Sequence, residues 1–277
     1  LRKRNMTWIL LAMLVGIIVL INFLLLAISN LNLPTGAQAA RMGQIQNLLG
    51  LPVALPFAMS ILSSFGSVLA VILMASSMGS EYNWRTIRTA VISSESRFKL
   101  LGAKLTSAVI LILMGMVLGL AAGFLMSIVT TAIGGYKFDF SFATGTYLWD
   151  QFLQFWRTFY VLVPYILLGF RFSIVGRSAM PGIALGIGII FLEGVITAFM
   201  IPAGGWIARV PDYLIGANVL AITSLTNLPR GFRAGMGVSD GSGQLPSVPH
   251  ATITLAVYSV VFLIIAFYLF RKRDVTG

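Results

Sequence analysis

Side chains able to hold charge or move protons are few in this chain: 8 aspartates and glutamates, one histidine and no cysteine among 277 residues. Glu193 is the only acid inside any stretch apolar enough to cross a bilayer, and a charge there is costly enough to mark a functional candidate. It either serves as a proton or cation site, or is neutral or hydrogen-bonded to a neighbouring helix with no transport role. Counted at ~1.5 Å per residue from Arg177 and Pro181, Tyr165 and Glu193 both lie about twelve residues deep. If their spans are antiparallel neighbours, the carboxyl is satisfied by the Tyr165 hydroxyl or by a backbone carbonyl one turn before Pro164. Arg171 lies roughly 9 Å deep, within snorkelling reach of the surface, the other reading being a pathway-lining role. His250 stands at a span entrance, as an interfacial residue or a pH sensor.

These residues do not assemble into an enzyme. A phosphate-binding loop of the form G-x-x-x-x-G-K-[ST] is absent, since the dipeptide Gly-Lys never occurs. ATP hydrolysis, if involved, belongs to another chain. With no cysteine and a single histidine unaccompanied by acids, no metal site and no catalytic constellation is predicted.

The elements that position these residues follow from hydropathy. The chain is 58% hydrophobic and 10% charged, with a mean hydropathy of +0.93, whereas a soluble domain carries about 25% charged residues. Stretches long enough to cross about 30 Å of hydrocarbon recur over residues 7–28, 55–78, 105–133, 158–176, 182–201 and 252–270. The fold class is therefore an all-α membrane protein, one transmembrane domain over 1–277 with six helices. Most of the 19 lysines and arginines fall in one alternating set of segments: the N-terminus, 79–104, the Arg171–Arg177 region and the C-terminus. By the positive-inside rule these and both termini are cytoplasmic. Topology and anionic lipid then account for the net charge of +11, and no nucleic-acid partner is called for.

Residues 202–251 form an extracytoplasmic loop. Within it Tyr213–Leu225 is semi-apolar but too short to span, and is read as a re-entrant helix dipping into the outer leaflet. Gly115, Gly119 and Gly123, and likewise Gly182 and Gly186, repeat every four residues, permitting close approach within the bundle, at a dimer seam or on a surface that slides between transport states.

The segment GSEYNWRTIRTAVISSESRFKLLGAK joins the second and third spans. Trp84, Ile87 and Val91 share one helical face, which suits either an interfacial helix or a docking helix. Here the sequence resembles the ABC type-2 permeases, the transmembrane subunits of bacterial ATP-binding-cassette exporters. Gly79, Glu81, Trp84, Thr86, Arg88, Ser96, Arg97 and Lys104 match the family's pattern, with Arg85 where glycine is usual. Arg177–Ser178, Pro211–Leu220 and the closing RKRDVTG add weaker likeness.

The resemblance implies a bacterial inner-membrane permease, working as a homo- or heterodimer with a second permease subunit and bound to ABC ATPase subunits that hold the ATP and magnesium. Glu81, Tyr82, Trp84, Arg85, Thr86 and Arg88 would form the cytoplasmic coupling helix. An amphipathic helix before the first span is also implied, consistent with a chain that begins at Leu1. Spans with few internal charges favour an amphipathic or lipid-like cargo. The rival is an ion-coupled secondary transporter or channel built on Glu193.

Overall fold

A computed structural model describes residues 5–29, 48–83, 97–134, 140–226 and 245–272. Among these the regular structure is all helical: α1 (Asn5–Ser29), α2 (Leu51–Asn83), α3 (Arg97–Ile133), α4 (Gly145–Gly176), α5 (Ala179–Ala203), a 3-10 helix (Ile207–Tyr213), α6 (Ile215–Thr223) and α7 (Val248–Lys272). Six of them are long and apolar enough to cross a membrane. The chain is thus an all-α, multi-pass membrane protein.

Two helices begin well ahead of the spans read from hydropathy. α3 begins at Arg97 instead of 105, and α4 at Gly145 instead of 158. Hydropathy registers only the part of a helix that avoids water, and α4 opens with a polar, aromatic stretch. Its start is set by Thr144, whose hydroxyl accepts the Tyr147 amide at 3.3 Å, satisfying one of the first-turn donors. Along this first half Trp149, Phe152 and Trp156 are exposed and their rings pack on one another, as in the aromatic belt of a membrane interface.

α2 and α4 form the buried centre, with α1, α3, α5 and α7 arranged around them. α2 carries serines where a core would ordinarily be aliphatic. Ser60, Ser63, Ser67 and Ser76 each donate to the carbonyl three residues earlier, so the hydroxyls enter the core satisfied and remain small.

That smallness lets three backbones meet. A methyl on Gly169 of α4 would stand 2.6 Å from the Val71 carbonyl oxygen of α2, and one on Gly186 of α5 would stand 2.5 Å from the Val71 side chain. Gly182 is closed off by Ser173 and Ala75, and Ser173 donates to the Ala75 carbonyl at 3.2 Å. On α3, Gly115, Gly119 and Gly123 face Leu11, Leu62, Ile18 and Ala58 of α1 and α2. Both glycine faces therefore pack inside the bundle, and neither is free to be a dimer seam. With little hydrophobic drive between helices in lipid, such close van der Waals approach is what holds them together.

Candidate functional site

α5 and α7 are not joined by a simple loop. Gly204 and Gly205 both take positive φ, 70° and 61°, which reverses the chain where only glycine turns without strain. The 3-10 helix then runs back along α5, and α6 follows, its Ile215, Val219 and Ile222 buried in a cluster with Tyr165, Leu168, Leu255 and Phe262 of α4 and α7.

In the turn between these two short helices, Asp212–Gly216, the Leu214 amide donates to the Pro211 carbonyl at 2.9 Å and the Leu214 carbonyl accepts the Asn218 amide at 3.4 Å. Side chains add the rest. Asn218 Nδ2 donates to the Asp212 carbonyl at 2.8 Å and to the Leu214 carbonyl at 2.7 Å. The Tyr258 hydroxyl of α7 donates to the Tyr213 carbonyl at 3.0 Å, and His250 Nε2 lies 3.2 Å from the Asp212 carbonyl. The two first-turn amides of α6 donate to Glu193 of α5, Ile215 N to Oε1 at 3.2 Å and Gly216 N to Oε2 at 2.7 Å.

This is what a backbone must do when it turns away from water: every group is satisfied internally or it costs several kcal/mol. A carboxylate is also the fitting partner for amides that carry the partial positive charge of a helix N-terminus. Glu193 sits about ten residues, ~15 Å, along α5 from its Ala203 end, so the turn is held well inside the bundle.

Tyr165 is correctly placed in depth but not in role. It is buried between α4 and the hairpin, within electrostatic range of Glu193, yet the carboxyl is satisfied by the Ile215 and Gly216 amides instead of its hydroxyl or a carbonyl near Pro164. A helix start brings two N–H donors aimed along its axis, which a single tyrosine hydroxyl does not match.

Arg171 does not run along α4 to the surface. Its guanidinium carbon lies 5.3 Å from the centroids of both Phe172 and Phe262, so the reach is sideways onto α7. His250 packs edge-on against Tyr213, at 5.2 Å between ring centroids, as well as meeting Asp212.

Trp84, Arg85, Thr86 and Arg88 lie outside the described residues, as does the side chain of Glu81. α2 does continue through Glu81 and Tyr82 to Asn83, with Tyr82 packed on the core. At this end Gly79 touches the turn between α4 and α5: a methyl there would overlap the amide and Cα of Ala179. Two clamp residues, Asn218 and Tyr258, escape sequence reasoning. Asn218 carries a signal in hindsight, as a strongly polar side chain within the apolar run IGANVLAIT.

Fold and site together define a class: a six-helix membrane protein with a hairpin clamped between two of its spans. The chain belongs to the family described as "Protein of unknown function (DUF2705)", which it matches over residues 17–276. It is similar to the uncharacterized protein YhcI of Bacillus subtilis (strain 168), 22% identical over 215 residues that cover 75% of this chain and 64% of that protein. The chain thus spans just under two thirds of that relative's length. No solved structure matches.

Proposed function

We propose that this chain is the membrane subunit of an ATP-binding-cassette exporter, working with a second permease subunit and with ATPase chains that supply ATP hydrolysis from outside this sequence. The observation that carries the reading is the segment opening at Gly79, where the Gly-x-Glu…Trp-x-Thr-x-Arg pattern begins on the last turn of α2. Three features of the bundle favour it.

Gly79 rests against Ser178–Ala179, the start of α5. α5 is then locked by Gly182 and Gly186 to α2 and α4, and Glu193 ties it to the hairpin at the far end. A displacement imposed on residues 81–88 thereby has a contiguous path of close contacts through α2 and α5 to the hairpin, as transmission between distant sites requires. The cargo suited to this apolar interior is amphipathic or lipid-like. Against the ion-coupled alternative stands the engagement of both Glu193 oxygens by backbone amides.

Trp84→Ala tests the reading. Aromatic and arginine anchors carry much of an interface's energy, so the variant should lose about 2 kcal/mol of subunit association or more. It should insert normally, copurify with less ATPase and lose substrate-stimulated hydrolysis. A Trp84→Ala protein that binds its ATPase and transports like the parent would make 84–91 merely an interfacial helix.

A further inference from the structure

Arg171 lies on the apolar half of α4, five residues before its Gly176 end, and its guanidinium is left half-answered. Its contacts are the two rings of Phe172 and Phe262. Nε is buried with no hydrogen-bond acceptor, and no carboxylate pairs with the group among the described residues. The side chain as a whole remains part-exposed. The Nη atoms are neither hydrogen-bonded nor sealed in, so the forked end of the guanidinium opens to the bundle surface. An arginine cannot escape the cost of this position by losing its proton. Two ring faces offset part of the charge, but they accept no N–H bond.

The surroundings define what could complete it. α5 and α7 both pack on α4, with little contact between themselves. The hairpin fills the space between them at the end where α7 begins, burying Ile215 against Leu168 and Phe262. Below the hairpin, towards the end where α4 stops at Gly176, Arg171 lies part-exposed against Phe262 of α7. The adjoining rim is basic, with exposed Arg177 at the α4 cap and Arg271 and Lys272 in the last turn of α7. Glu193, the acid within α5, is already committed to the α6 amides.

We infer that the face of α4 around Arg171, beside α7, is a binding site for the phosphate of an anionic membrane lipid, with Arg171 as its ligand. A guanidinium presents paired N–H donors that match two phosphate oxygens. The lipid's acyl chains would lie along the apolar helix faces that flank Arg171, and its headgroup would enter from the basic rim. This occupant supplies in one molecule the countercharge, the acceptors and the apolar cover that the chain leaves out. The inference stands on the geometry alone and does not depend on an ATPase partner.

The test is lipid retention by the purified chain in mild detergent, read by native mass spectrometry. The probes are dioleoyl phosphatidylglycerol and dioleoylglycerol, which share their chains and differ in the phosphoglycerol. The parent should retain the phospholipid roughly fivefold better, the order expected for one cation meeting one lipid anion. Arg171→Met should abolish that preference, and Arg171→Lys, which keeps charge without the fork, should hold part of it. Arg177→Gln, on the exposed rim, should leave most of it.

A parent that shows no preference overturns the inference, and this measurement needs no variant to fold. So does an Arg171→Met protein that keeps the full preference. Displacement of the lipid by millimolar inorganic phosphate alone would make Arg171 a free-anion site and overturn the lipid assignment.

Discussion

The Gly216 amide donates to Glu193 Oε2 at 2.7 Å, and a methyl on the same glycine would stand 3.2 Å from that oxygen. Position 216 thus supplies both the donor and the space for an acid in the middle of a span. The carboxyl caps a helix that would otherwise begin inside the bundle with orphaned amides.

Glu193→Gln keeps one acceptor of similar reach and should cost about 1 kcal/mol of stability, with the fold intact. Glu193→Leu leaves both amides unpaired and should cost roughly 2 to 6 kcal/mol, at about 1–3 kcal/mol per buried orphan. Denaturation in micelles gives the difference. Faster hydrogen exchange at Ile215 and Gly216 locates it in the hairpin. Complete loss of transport in a normally folded Glu193→Gln protein would instead favour an ion site.

Asn218 is fully buried, and its amide nitrogen serves two carbonyls at once. Asn218→Asp preserves volume but replaces both donors by an acceptor facing carbonyls, so it should destabilise by at least 3 kcal/mol or so. Tyr258→Phe removes one bond to Tyr213 and should cost only about 1 kcal/mol. The ordering of the two thermal midpoints checks the clamp. Equal midpoints would mean the turn is held by packing alone.

Gly79→Ala should destabilise by roughly 1 to 3 kcal/mol, because backbone atoms of Ala179 occupy the space a methyl needs. Gly188→Ala meets nothing within 4 Å and, in a helix interior, should be neutral or stabilising by about 0.5–1 kcal/mol. The pair separates close packing from glycine's general effect on helices.

Arg177 caps α4 in the left-handed region, at φ 52° and ψ 28°, a conformation unfavourable for a side chain with a Cβ. Arg177→Gly should relieve about 1 kcal/mol and raise the midpoint. A lower midpoint would show that the guanidinium holds the turn by contacts of its own.

The distribution of basic residues predicts that residues 79–104 face the cytoplasm. With no native cysteine, a single cysteine at position 88 or 99 is a clean probe for an impermeant thiol reagent. Labelling should require broken cells. Labelling of intact cells at either position would invert the topology.

Span number and approximate span position were legible from sequence because hydropathy is local: a helix in hydrocarbon must be apolar along its own length whatever it packs against. The resemblance at Gly79–Lys104 and the lack of a phosphate-binding loop are equally local, being patterns within a short stretch. Helix starts at Arg97 and Gly145 were not legible, since both helices run on into polar residues that no hydropathy threshold counts. Nor could sequence say who answers Glu193. Equal depth suggested Tyr165, and that tyrosine is indeed nearby, but the donors are amides freed by the start of α6, more than twenty residues further on. The same holds for Gly79 against Ala179 and for Arg171 against Phe262. A side chain's type states what it needs, whereas its partner depends on which distant backbone the fold brings within 3 Å or so.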